Sequence, residues 1–254
     1  MTQHANREAH QALLRYYAEV HGARSAANFD WAMREQLFAG IQLEGKTMLD
    51  VGCGHGHMGL WASAQGARRV VGLEPEVEGS SSGMQEAFSS AARRVGLEDR
   101  VELVTQPLQN YDPGSERFDL VLLAASINHL DEDACIRLHH DEQARQTYRE
   151  HLRGLADAAA PGACLIVTDC DRRNLFGRLG VRNPLAPTIE WEKHQSPWLW
   201  AKLLAGVGFE APEVSWMALR RLRKPGQALL GNRAGAYLLT SAFVLRMRRS
   251  TSIG

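Results

Sequence analysis

One stretch constrains this chain more than any other: Leu49-Asp50-Val51-Gly52-Cys53-Gly54-His55-Gly56-His57-Met58-Gly59-Leu60. A short apolar run, Thr47–Val51, leads into it, and a helical pattern, Met58–Gln65, leads out. Glycines at alternate positions permit turn geometries barred to other residues and leave no side chain between backbone and ligand. The helix that follows points unpaired amides at whatever occupies the loop. Strand, glycine turn and helix in that order open a βαβ unit. The rest of the chain must then supply parallel strands joined by crossover helices.

The chain does supply them. Arg69–Leu73 reads as a second strand ending at Glu74, and Arg100–Val104 as a third. Phe118–Ala125 is a nearly continuous apolar run, of the kind a parallel sheet buries on both faces. Pro161-Gly162 reads as a turn before a fifth strand, Ala163–Thr168. Helical patterns fill the gaps over 80–95, closed by Gly96, and over 131–159, with Asp131 as N-cap. Two helices precede the first strand, 6–21 stopped by Gly22 and about 28–40 ending at Gly40. Beyond Asp171 the pattern weakens to a long loop or broken helix over 172–194. A helix over Pro197–Gly206 and late strands at Val214–Leu219 and Ser241–Met247 follow, the strands separated by a basic connection, Arg220–Leu239.

Composition excludes several classes. Hydrophobic residues make up 44% and charged residues 23%, too apolar for a disordered chain. No apolar run approaches the roughly 18 residues of a membrane span, and the N-terminus lacks the apolar core of a signal peptide. The four cysteines form no CxxC pair, so free thiols in a reducing cytoplasm are expected. The net charge of zero argues against a uniformly basic nucleic-acid binder. It hides a gradient, because residues 213–254 hold eight cations against the single acid Glu213, a local +7 that the remainder offsets with −7.

The loop spacing is GxGxG. A dinucleotide fingerprint counted from Gly52 would need glycine where His57 stands. Asp50 precedes the loop, and the acid Glu74 closes the second strand. This arrangement, with Phe118-Asp119-Leu120-Val121 before Ser126-Ile127-Asn128-His129-Leu130, Pro161-Gly162 before the fifth strand, and Gly208-Phe209 before the late strands, resembles the class I S-adenosylmethionine (SAM)-dependent methyltransferase family. The resemblance covers roughly residues 45–170, and the late strands more loosely. It implies an α/β Rossmann-like fold: a seven-stranded, mostly parallel sheet with flanking helices, an antiparallel last strand and an N-terminal helical extension. Residues 1–44 would form a helical cap or lid, and 45–254 the SAM-binding domain, with acceptor-side insertions at about 171–197 and 220–239. It implies SAM as cofactor, held by Asp50, Gly52, Cys53, Gly54 and Gly56, with Glu74 on the ribose, Gln106 by the adenine, and Ser126 at the fourth strand end. Gln106 is a departure, since the family often has an acid there.

Methyl transfer from a sulfonium needs alignment above all, but a hydroxyl acceptor also needs its proton removed. His129, just past the fourth strand, is the first candidate base; its alternative role is to hydrogen-bond the loop or cap the next helix. His194 is the second candidate. Asn128 is placed to orient the acceptor or to make an Asx turn. Trp191 is a candidate wall of the acceptor pocket, and Tyr16 and Tyr17 a candidate lid, with ordinary helix packing the alternative for all three. His139-His140-Asp141 reads as a solvated helix face, because neighbours on a helix diverge by about 100°. Metal-dependent relatives need an acid where Ala125-Ser126 stands, so no metal is expected.

The motifs of amino-methylating DNA enzymes, cytosine methylases and protein-arginine methylases are absent from Ala-Ala-Ser-Ile-Asn-His, so no DNA acceptor is expected. Ser126-Ile127-Asn128-His129 instead resembles stand-alone small-molecule or glycan methyltransferases, which implies an acceptor of that kind, with O-methylation first. The alternatives are a catalytically silent SAM-binding partner or sensor, and an RNA methyltransferase. The basic segment 220–249 is a candidate contact for a phosphorylated or lipid-linked acceptor, or for a peripheral membrane surface; solvated cations beside an amphipathic helix are the other reading.

Overall fold

The computed structural model describes residues 3–75 and 83–251. They group into two compact units, Met1–Leu122 with Ala158–Ala160, and Leu123–Asp157 with Pro161–Gly254.

The first unit opens with α1 (Gln3–His21) and α2 (Ala23–Ala32), separated by Gly22 in a left-handed conformation at φ 87°. The helix expected over 28–40 begins earlier, at Ala23, and finishes as a π-helical turn, Met33–Leu37. β1 (Thr47–Val51) leads into the glycine loop and α3 (His57–Ala64) leaves it. Asp30 ties the three helices together, accepting from His10 (2.7 Å), from Arg34 (3.1 Å) and from the Trp61 indole (2.9 Å). β2 (Arg69–Leu73), α4 (Met84–Arg94), β3 (Val101–Val104) and most of β4 (Phe118–Ala124) complete the unit. The helix expected from residue 80 is described from Met84 on; its first residues lie outside the described ones. β1 pairs in parallel with β2 on one side and β4 on the other, so every β1 residue is buried. That is why Thr47–Val51 carries apolar residues without alternation.

In the second unit α5 (Glu132–Arg137) starts at Asp131, whose side chain accepts the Ala134 amide at 2.8 Å. α6 (Glu142–Ala158) follows. The single helical run expected over 131–159 is therefore interrupted, and His139 and His140 sit in the intervening turn rather than on a helix face. Their imidazoles approach to 3.0 Å, and Arg172 bonds to His139 at 2.7 Å. β5 (Ala159–Cys170) runs straight through Pro161-Gly162, which the sequence reads as a turn. Pairing with β7 begins at Cys164, beyond the proline. Then come the short α7 (Leu175–Arg178), α8 (Pro197–Ala205) capped by Ser196, and β6 (Phe209–Trp216). The basic connection folds as two helices, α9 (Arg223–Leu230) and α10 (Arg233–Leu238), before β7 (Ala242–Arg249). The seven strands run in the order β3-β2-β1-β4-β5-β7-β6, with β7 antiparallel to both neighbours. Strand order reverses beside β1, and the loop after β1 stands at that point, where α/β sheets bind ligands.

Candidate active site

The glycine loop of the first unit is built to a tight specification. Gly52, Gly54 and Gly56 all adopt left-handed backbone, at φ 69°, 53° and 69°. At Gly56 a side chain is excluded twice over, since a Cβ would fall 2.1 Å from the Phe88 ring of α4. The loop spends most of its own amides on its anchorage. Gly52 and Cys53 donate to the Leu73 carbonyl (2.8 and 3.1 Å), Gly54 to Glu74 Oε2 (2.7 Å), and Gly56 to the Cys53 carbonyl (2.9 Å). What remains to receive a ligand is the first turn of α3, which no side chain caps.

Asp50 lies beneath that turn. It is 1% exposed, and neither carboxylate oxygen has a hydrogen-bond partner. Burial first, and then the charge of Glu74, push its carboxyl up to about 7. A buried acid without a partner is costly unless a donor or cation completes it. SAM brings an α-ammonium and a sulfonium, so the orphaned carboxylate, the side-chain-free loop and the second oxygen of Glu74 fit that cofactor. Cys53 contributes its backbone. Its Sγ turns onto β2, where a Cβ on Gly72 would lie 2.6 Å away, and burial pushes the thiol well up, keeping it neutral. Gln106 follows β3 and is exposed. Tyr16 and Tyr17 reach His57, the first residue of α3. Tyr17 stacks on Phe29 at 4.5 Å and meets His57 edge-on at 5.0 Å, and the Arg94 guanidinium covers Tyr16 at 5.3 Å. Burial, with His55 and His21 nearby, lowers His57 to about 4, so its imidazole is uncharged at neutral pH.

The second unit carries the remaining candidates. Ala125, just past β4, is held at φ 55°, a strained conformation for a residue with a Cβ. It opens the turn in which Ser126 is buried and precedes the 3-10 turn Ile127–His129. Tyr148 of α6 clamps that turn, its hydroxyl lying 3.1 Å from each of the Ile127, Asn128 and Asp131 carbonyls. Asn128 is 2% exposed, and its Oδ1 has no hydrogen-bond partner.

The two histidines differ sharply. His129 is 56% exposed, with Nδ1 on Glu132 at 2.7 Å and Nε2 facing the Asn128 amide at 3.4 Å. Glu132 is shared with Lys193 (2.8 Å), which also pairs with Glu190 (2.7 Å). His194 is 16% exposed, and its Nδ1 lies 2.6 Å from Oδ1 of the fully buried Asp169. Asp169 also accepts from the Cys170 amide (2.7 Å) and from the Trp200 indole (2.9 Å). A carboxylate that receives N–H donors makes Nδ1 the donor and leaves the His194 Nε2 lone pair to act as a base. Neither Asp169 nor Trp200 is among the site residues expected from the sequence. The available signal was an acid ending an apolar strand, with a histidine just before a tryptophan-rich helix. Trp191 packs over Gly177, where a Cβ would fall 2.9 Å from its ring, and walls a cavity of about 490 Å³.

Residues 48–155 match the family described as a methyltransferase domain. A ribosomal protein L11 methyltransferase from Aeromonas hydrophila is 32% identical over 156 residues, which is 61% of this chain and 47% of the relative. The chain thus spans about half the length of that curated relative. A SAM-dependent methyltransferase structure from Aquifex aeolicus superposes with a TM-score of 0.55 at 17% identity, covering 89% of both chains. The [4+2]-cyclase SpnF does so with the same score at 18% identity, covering 91% of this chain and 83% of its own. These two likenesses speak to fold alone. The match over residues 48–155, the sheet topology and the donor-loop geometry agree on a methyltransferase domain with the fold of class I SAM-dependent methyltransferases.

Proposed function

We propose that the protein transfers the methyl group of SAM to a hydroxyl of a small-molecule or sugar acceptor, with His194 as the base. When bound, SAM supplies an activated methyl on a sulfonium. Asp50, Glu74 and the α3 amides hold and orient it. His194 then takes the acceptor proton on Nε2, and Asp169 steadies the resulting imidazolium. The observation that carries this reading is the His194–Asp169 contact, a half-buried imidazole oriented by a buried acid that Trp200 holds in place. His129 serves the turn through Glu132 and Asn128, both of its nitrogens being engaged.

The test is incubation with methyl-labelled SAM and a fractionated metabolite extract, followed by identification of the labelled product. Label in a low-mass hydroxyl compound, lost at least about a hundredfold in His194→Ala but retained in His129→Ala, is the expected outcome. Label in protein instead would favour the reading suggested by the name of the Aeromonas relative, a ribosomal-protein methyltransferase. Normal turnover in His194→Ala overturns the base assignment. SAM binding without any labelled product would favour a sensor.

A further inference from the structure

Two cavities open in the second unit, beside the strand end that carries Asp169. One, of about 420 Å³, is lined by Asp171, Trp216, Arg233 and Ser241 together with Arg173 and Tyr237. The other, of about 490 Å³, is lined by Arg178 and Trp191 and again by Arg173 and Tyr237. The shared pair makes them neighbours across one wall.

The charges in this lining are unbalanced. Arg173, Arg178 and Arg233 are exposed; Asp171 acts on Arg173 and Arg233 through its charge, but among the described residues none of the three has a carboxylate within ion-pairing distance. Arg172, in the second lining, is occupied by His139 at 2.7 Å. The acids present are Glu192, which is exposed, and Asp171, which is 4% exposed and already accepts the Arg173 amide at 3.0 Å. A guanidinium offers a planar fork that matches phosphate and carboxylate oxygens, and it keeps its charge at any physiological pH. Indole and phenol rings beside it offer flat apolar surface. Asp171 adds a buried acceptor for a hydroxyl or amine.

We infer that these paired cavities bind an anionic small molecule with a planar apolar body, its phosphate or carboxylate held by Arg173. The inference narrows the acceptor class of the proposed transferase and rests on the second unit being the acceptor side. It also moves the anion site within the basic regions. The arginines that line the cavities come from the stretch after β5 and from α10, and Arg220 and Arg221 line neither.

The experiment is calorimetric titration of the full chain with phenyl phosphate, benzoate and phenol, for wild type, Arg173→Ala and Arg173→Lys, alongside S-adenosylhomocysteine as a separate ligand. An anion should bind at least about tenfold tighter than phenol. Arg173→Ala should weaken the anion by about tenfold and leave phenol unchanged, with Arg173→Lys recovering part of the loss. The tighter of the two anions tells phosphate from carboxylate. Equal binding of phenol and both anions, no anion binding, or no effect of Arg173→Ala overturns the inference. Retained S-adenosylhomocysteine affinity in that case leaves the donor reading standing. Failure of S-adenosylhomocysteine to bind wild type strikes the proposed function instead, whatever the anions do.

Discussion

Asp50 is the residue on which cofactor binding and stability pull in opposite directions. In the free protein its carboxyl is buried without a partner and stays protonated up to about pH 7. In the unfolded chain it ionises near 4. Between those values the unfolded chain holds fewer protons, so this residue's contribution to stability falls as pH rises from about 4 to about 7. His57, lowered to about 4, acts with the opposite sign, its contribution being lost as pH falls from about 6.5. The Asp50 part is therefore read as a difference between variants. Relative to wild type, Asp50→Asn should gain thermal stability steadily between about pH 5 and pH 7.5, while binding S-adenosylhomocysteine at least about tenfold more weakly. Thermal melts across that range, paired with titrations, check both. A constant offset between the two melting curves would show that Asp50 does not titrate there.

Among the elements, the 3-10 turn after β4 shows how one buried hydroxyl organises a loop that carries function. Tyr148 is fully buried, and its one hydroxyl hydrogen is shared among the Ile127, Asn128 and Asp131 carbonyls in and just after the turn. Tyr148→Phe leaves those carbonyls short of a donor and should cost about 1–3 kcal/mol in urea unfolding, with the fold retained. Local elements of this kind were only partly legible in the sequence. The glycine loop, β1, β2 and β4 could be read because each depends on residues adjacent in the chain: apolar runs, a glycine spacing, an acid at the strand end. The interruption between α5 and α6 was missed because Arg145 bonds to the Leu138 and His139 carbonyls, a tertiary choice no periodicity records. β5 runs past Pro161-Gly162, although the pair reads locally as a turn. The His194–Asp169–Trp200 group joins β5, a 3-10 turn and α8, and nothing in the spacing of those residues announces that they meet.

At the scale of the whole chain, the zero net charge resolves into structure. Part of the +7 carried by residues 213–254 is committed to the fold. Arg249 donates to the Ala156 and Gly208 carbonyls, and Arg246 lies half-buried in β7, where burial lowers its affinity for a proton. Arg220, Arg221 and Arg233 remain exposed on the connecting segments. In the complementary, acidic part, Asp50 and Glu74 stand at the donor loop, where the predicted cofactor brings positive charge. No helix of the described residues is long and apolar enough to cross a membrane. The fold is shared by a methyltransferase and by a [4+2]-cyclase, so the donor loop, more than the sheet, must carry the claim that this chain uses SAM. The direct measurement is calorimetric titration of the full chain with S-adenosylhomocysteine, for wild type and Glu74→Ala. The expected result is a single site in wild type, weakened by about tenfold or more when the Glu74 carboxylate is removed. Absence of binding in wild type, or equal affinity in the two proteins, would contradict it.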